Sequence, residues 1–229
     1  MIAAKYSFTP NSLGYCGTPS FVSLLQSGDR EKTMEELRKF HPHYAYLSLI
    51  ARENGRQPFD DDVVRAFWIG NRLLENVCYD SLKRFVLEEL LPGQERAVRL
   101  SESLPQGLVP HHSFNSLYIN FVTDKVEKTT RNFDSCCVLP GRVLSVEGNS
   151  LLLERDCIIE GPSMGKKKER VSLELNGTRF LDTVREGDIV SVHWGMAIEL
   201  LSPEQAGSIV KYTKRNADII RQMSKVPSA

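Results

Sequence analysis

Two periodicities divide the chain. Through most of the first 125 residues, apolar side chains recur three and four positions apart; from Cys136 onward they alternate with polar ones. The first pattern predicts amphipathic helices and the second half-buried strands. Residues 1–17 fit neither. Pro10, Asn11, Gly14 and Gly17 punctuate them and predict a loop-like arm, anchored by Tyr6, Phe8, Leu13 and Tyr15. Thr18-Pro19 opens a helix ending near Gly28. Asp29 caps the next, where Met34, Leu37, His41 and Tyr44 keep helical spacing; Pro42 predicts a break and a new helix over about 42–53, stopped by Asn54-Gly55. Asp60, Asp61 and Asp62 place negative charge at the following N-terminus, and Val64, Phe67, Asn71, Leu74 and Cys78 then share a face. Further helices are predicted from Asp80 to before Pro92-Gly93 and from Gln94 to Ser103. The aromatic and β-branched run from His111 to Val122 predicts a strand, and the polar run Asp124–Asn132 a linker.

Beyond Cys136 the alternation is carried by Leu139, Gly141 and Val143, then Leu151, Leu153, Cys157 and Ile159, then Val171, Leu173 and Leu175, and finally Val190, Val192 and Trp194. Turns are expected at Glu147-Gly148-Asn149, at Asn176-Gly177 and at Arg185–Asp188, with a loop from Gly161 to Lys168. Short strands at this spacing predict a small closed barrel of the oligonucleotide-binding type. Ser202, Pro203 and Gln205 make a capping box for a last helix, with Ala206, Ile209, Val210, Thr213, Ala217 and Ile220 on its inner stripe. The expected fold is therefore α+β: a mostly α-helical domain over residues 1–125, then a barrel with a C-terminal helix over residues 134–229.

Composition narrows the function. Lys plus Arg and Asp plus Glu number 29 each, which argues against a nucleic-acid binder; no basic surface or stacking platform is evident. No apolar run approaches membrane-spanning length and no signal-peptide core opens the chain, so the expectation is a cytoplasmic protein without membrane or nucleic-acid partners. Five cysteines at irregular spacing, with no C-x-x-C, speak against a disulfide framework or a four-cysteine zinc site. No phosphate loop, dinucleotide fingerprint or G-x-S-x-G occurs.

The candidate chemistry lies in two places. Cys136 and Cys137 stand before Pro140-Gly141 at the start of the barrel, where strand alternation would turn one inward and one outward. An accessible thiolate there suits a soft metal centre such as low-spin iron. His193 falls opposite Val190, Val192 and Trp194, and so should point out of the barrel, with Gly195 marking a tight backbone position beside it. The other histidines form two pairs, His41 with His43 and His111 with His112; together with Cys16 they could build a metal or haem pocket, against the plainer reading of helix capping and core hydrogen bonding. Cys78 and Phe67-Trp68 read as core, and Lys166, Lys167 and Lys168 as a solvated loop.

The segment C-C-V-L-P-G-R-V-L-S-V resembles the opening of the HypC/HupF/HybG family of nickel–iron hydrogenase maturation chaperones, and V-R-E-G-D-I-V-S-V-H-W-G-M-A resembles that family's second signature. Counting back from Pro140, Cys136 falls on the family's cysteine and His193 on its histidine, with Pro140, Gly141 and Gly195 as structural positions. The resemblance implies iron carrying cyanide and carbon monoxide ligands, held by Cys136 with His193 in support, and two partners: a HypD-like scaffold protein and the hydrogenase large-subunit precursor. In the family the cysteine adjoins the processed N-terminus; here a helical unit precedes Cys136. The segments N-S-L-G-Y-C-G, H-P-H-Y-A-Y-L and P-H-H-S-F resemble an uncharacterised domain family sometimes joined to such a barrel. The expected function is a non-enzymatic metallocentre-assembly chaperone. The alternative is a metal- or haem-dependent enzyme of the histidine-rich N-terminal part, with the barrel as acceptor of its product.

Overall fold

The computed structural model describes residues 2–120 and 125–223. The helical part contains α1 (Ile2–Ser12), α2 (Phe21–Ser27), α3 (Arg30–Lys39), α4 (His41–Asn54), α5 (Asp61–Trp68), α6 (Tyr79–Arg84), α7 (Glu95–Glu102), α8 (His112–Phe114) and α9 (Thr130–Cys136). The barrel region follows with β1 (Leu139–Glu147), β2 (Ser150–Glu160), β3 (Ser163–Ser172), β4 (Glu174–Leu175), β5 (Thr178–Arg179), β6 (Ile189–His193) and β7 (Met196–Leu200), and then α10 (Pro203–Met223). The α+β class is as the periodicities predict.

Local chemistry sets many of these boundaries. Gly28 and Gly55 end α2 and α4 in the left-handed conformation, which glycine adopts without a Cβ clash. The Asp29 carboxylate accepts from the Lys32 N–H at the start of α3. Ser202 and Gln205 form the reciprocal box that starts α10, at 3.2 and 2.9 Å. Asn176-Gly177 turns β4 into β5, both residues with positive φ.

Several expectations change. The arm over residues 1–17 is largely the helix α1, because its apolar anchors Tyr6 and Phe8 are fully buried and packing outweighs the punctuation. The strand predicted from His111 is instead α8 followed by a π-helical turn, Asn115–Ile119. The linker reading of Asp124–Asn132 gives way to α9 from Thr130, capped by the Thr129 side chain; residues 121–124 lie outside the described residues. The lysine-bearing loop is part of a long β2–β3 hairpin whose connection is Gly161-Pro162. Cys78 is exposed and caps α6, accepting from the Ser81 N–H. Cys136 and Cys137 stand at the end of α9, not on a strand, and both are buried.

The strands run β1-β2-β3-β7-β6 and close through β6 onto β1. All pairings are antiparallel except β3 with β7, which meet in parallel at Ser172 and Met196. Val143, Leu151, Leu153, Val171, Val190, Val192 and Ala197 fill the interior. Pro140 and Gly141 pair with Ser191 and Val190 of β6. Gly141 permits a close approach: a Cβ there would meet the Leu153 and Arg155 side chains at 2.9–3.3 Å. The outer wall shares one apolar core with the helices, reaching from Tyr6, Leu47 and Phe85 to Val138, Met196, Ile198 and Ile209.

One ion cluster fastens α9 to the barrel. Asp134 accepts from the Ile158 N–H at 2.8 Å, from both terminal nitrogens of Arg155, and from Lys167 at 2.9 Å. Arg155 also reaches Glu169. Asp134 and Arg155 are both buried, so removing the carboxylate takes away the buried counter-ion of Arg155 and leaves it only the more exposed Glu169. Asp134→Ala is expected to cost about 3–5 kcal/mol of stability, read as a lowered urea midpoint. A cost of less than about 1 kcal/mol would show the cluster to be dispensable.

Candidate metal centre

Proline at position 10 of α1 has no N–H, so it cannot bond the carbonyl four residues back, that of Tyr6. The ring of His193 takes this place. Its Nδ1 lies 2.8 Å from the Tyr6 oxygen. A carbonyl can only accept, so Nδ1 carries the proton and Nε2 keeps its lone pair. Nε2 is buried with no hydrogen-bond partner. As predicted, His193 faces away from the barrel interior that Val190 and Val192 fill. The helical part covers it, leaving it 1% exposed. Trp194 does not join the barrel core as expected. Trp194-Gly195 is the two-residue turn between β6 and β7, both with positive φ, a strained choice for tryptophan. Its indole packs on Tyr15, ring centroids 4.5 Å apart.

Cys136 comes to the same place from the end of α9. The main chain there is tied to the β6–β7 turn by the Trp194 N–H donating to the Ser135 carbonyl at 2.8 Å. The Sγ is 7% exposed at the residue level and lies 3.2 Å from the Ser116 hydroxyl, which also approaches the His112 carbonyl at 3.3 Å. Ser116 belongs to the π-helical turn, a feature that often marks functional positions.

His112 opens α8 and completes the group. Donor atoms of His112, Cys136 and His193 all lie within 4.8 Å of one another, so these three buried side chains can hold a metal ion. The His112 ring stacks on Trp68 at 4.4 Å and meets His193 edge-on at 5.2 Å; its Nδ1 is buried without a partner. Asn216 of α10 fixes the approach to α8: its amide exchanges two hydrogen bonds with Val109 and donates to Ser113 Oγ. A buried polar atom left unpaired costs about 1–3 kcal/mol, and a metal ion held by these side chains can satisfy the orphaned nitrogens.

The other sequence candidates divide. His43 lines the same cavity as the three, with both nitrogens unpartnered. Cys16 is half-buried and also lines it. His111 is buried but works as a helix cap: its Nδ1 accepts from the Ser113 N–H at 3.3 Å. His41 is exposed at the start of α4, apart from the cavity. The walls that sequence reasoning assigned to core or passed over are Tyr46, Phe67 and Trp68. The cavity measures about 70 Å³. That suits a metal with a ligand of a few heavy atoms, since one water needs roughly 10–15 Å³ on this measure; it is far short of a haem.

Burial also sets protonation. It holds His43 and His111 down to about 3 and His193 to about 4, where the Tyr6 and Cys136 main chain offset part of the effect. His112 is driven well below the usual histidine range, first by burial and then by the other imidazoles. Neutral imidazoles are the form that binds metals. The Cys136 thiol is pushed up to about 12 by burial, partly relieved by Ser116. In the metal-free protein, the unfolded chain binds protons below its ordinary histidine pKa of about 6.5, and the folded chain refuses them. Stability is therefore full above about pH 6.5 and falls as the pH drops toward 4, by about 1.4 kcal/mol per pH unit for each such histidine. Urea midpoints of the metal-free protein should decline steeply across that window; a flat profile would contradict the neutral, buried assignment.

The comparisons with known proteins extend over nearly the whole chain. A model for a family of unknown function, DUF6390, matches residues 1–226, helical part and barrel together. Among curated proteins and among solved structures, nothing matches. No comparison links the chain to the HypC/HupF/HybG family. By the extent of the match, the chain belongs to the DUF6390 family of unknown function.

Proposed function

We propose that this protein binds iron between His112, Cys136 and His193 and serves the assembly of an iron centre with cyanide or carbon monoxide ligands, as in nickel–iron hydrogenase maturation. One observation carries the metal reading: three buried donor atoms within 4.8 Å, on residues from separate parts of the chain. The donor set of two imidazoles and one thiolate suits a borderline or soft transition metal and not calcium or magnesium. The choice of iron and the assembly role rest on the resemblance of the segments around Cys136 and His193 to the maturation chaperones. On that reading the partners are a HypD-like scaffold protein and a hydrogenase large-subunit precursor.

A bound metal would supply a Lewis-acidic centre with open coordination positions. The chain's own residues prepare the rest. Tyr6 fixes the His193 tautomer so that Nε2 presents its lone pair. Ser116 donates toward Cys136 Sγ and favours the thiolate. Because the free thiol is held protonated, metal binding releases its proton to solvent, and affinity should rise with pH.

A second reading has its own support. The three ligands are buried side chains, and residues of α1, α4 and α5 (Ser7, Pro10, His43, Tyr46, Phe67 and Trp68) line the cavity with them. A centre buried in this way favours a resident cofactor of a small-molecule enzyme over a cargo handed to a partner.

Protein purified without oxygen from cells making hydrogenase should contain about one iron per chain, with infrared bands of bound cyanide or carbon monoxide. Cys136→Ala should remove the bands and lower iron affinity at least about tenfold, as loss of a ligand requires. Iron absent from wild type, or bands surviving in Cys136→Ala, would overturn the assignment. Iron retained after incubation with a large-subunit precursor would favour the enzyme reading over the carrier.

A further inference from the structure

His43 is the one buried histidine of this cavity that the ligand group leaves aside. It comes from the first turn of α4 and is 3% exposed. Both of its ring nitrogens are buried and without partners, yet it lines the cavity that His112, Cys136 and His193 also line. It stands outside the set of donor atoms that approach one another within 4.8 Å, so it is not placed as a fourth ligand. The Trp68 indole neighbours both: its ring centroid is 5.6 Å from that of His43 and 4.4 Å from that of His112, on which it stacks. In either tautomer the His43 ring has one N–H to donate and one lone pair to accept.

We propose that the cavity receives a small linear ligand of two or three heavy atoms, bound end-on to the metal, whose outer atom accepts a hydrogen bond from His43. The inference rests on the metal reading above and adds the residue that recognises the outer end of the ligand. Size favours a small ligand: about 70 Å³ admits a diatomic or pseudohalide beside the ion. Polarity limits it further. The aromatic rings of Phe67 and Trp68 line the cavity beside His43, and the two His43 nitrogens are unpartnered polar atoms there, so a ligand with an acceptor at its far end can satisfy one of them. A hydrogen-bond donor across the pocket from a metal is a general means of selecting and holding such ligands.

The test uses the full chain loaded with ferrous iron without oxygen and titrated with nitric oxide. Metal loading is read separately, from the thiolate-to-metal absorption. In wild type the nitrosyl should form, and its N–O stretching band should report the hydrogen bond. His43→Phe keeps an aromatic ring but removes the donor: nitric oxide affinity should fall about tenfold and the band should shift. His43→Gln retains a donor and should restore much of both; it also serves if His43→Phe fails to fold. Equal affinity and an unmoved band in both variants, with thiolate absorption intact, would overturn the role of His43 and leave the metal reading standing. No thiolate absorption in wild type would overturn the metal reading, and this inference with it.

Discussion

The hydrogen bond between the Tyr6 carbonyl and His193 Nδ1 is the contact on which the site depends. It exists because Pro10 cannot serve that carbonyl within α1. The imidazole of a barrel strand thus completes a helix of the N-terminal part. One bond does three things: it docks α1 on β6, it satisfies a buried acceptor, and it leaves Nε2 free to face the cavity. Tyr6 strengthens the same seam through its hydroxyl, 2.9 Å from Ser191 Oγ on the same outward face of β6. A proline late in a helix would ordinarily be a local defect. Here the defect is the socket for the histidine.

Around this seam the energetics couple fold and site. The shared apolar core stabilises the arrangement, while imidazole nitrogens of His43, His112 and His193 lie buried without partners. Those groups oppose folding unless something satisfies them. A metal binding the native state alone would do so and would stabilise the fold by mass action. The Asp134 cluster works in the same direction. It holds the last turn of α9 against the β2–β3 hairpin, two residues before Cys136, so the thiol cannot drift from the histidines without breaking a buried ion pair.

The barrel was legible because its signals are local. Alternation, the Asn176-Gly177 turn and the Ser202–Gln205 box each act within a few residues. Cys136 and His193 were singled out by the resemblance of the segments around Pro140-Gly141 and Trp194-Gly195 to the maturation chaperones, since those residues alone carry a weaker signal. What was hidden is non-local. The helix α1 depends on Tyr6 and Phe8 being buried against later segments, which no window around Pro10 reveals. His112 joined Cys136 and His193 only when α8 and the π-helical turn replaced the strand expected there, since a strand would have turned His111 and His112 to opposite faces. The alternation at Trp194 failed for a related reason: the residue keeps the apolar period but sits in a turn, where left-handed backbone redirects its side chain.

The burial of Cys136 bears on what any metal here is for. A cargo must leave by ligand exchange with a partner, and that needs a thiolate the partner can reach. Cys136 lies in a small apolar cluster with Val126, against Tyr15, Phe133 and Trp194, and α1, α4 and α5 cover part of the cavity beyond it, which stays partly open. Handing over a metal would require this cover to lift. The segment at Tyr15 and Cys16 is tied back to α1: both N–H groups donate to the Pro10 carbonyl, Asn11 donates to the Cys16 carbonyl, and Tyr15 packs on Trp194. If the centre is delivered, contacts of this kind must break before a partner can reach Cys136; if it is resident, they can stay in place.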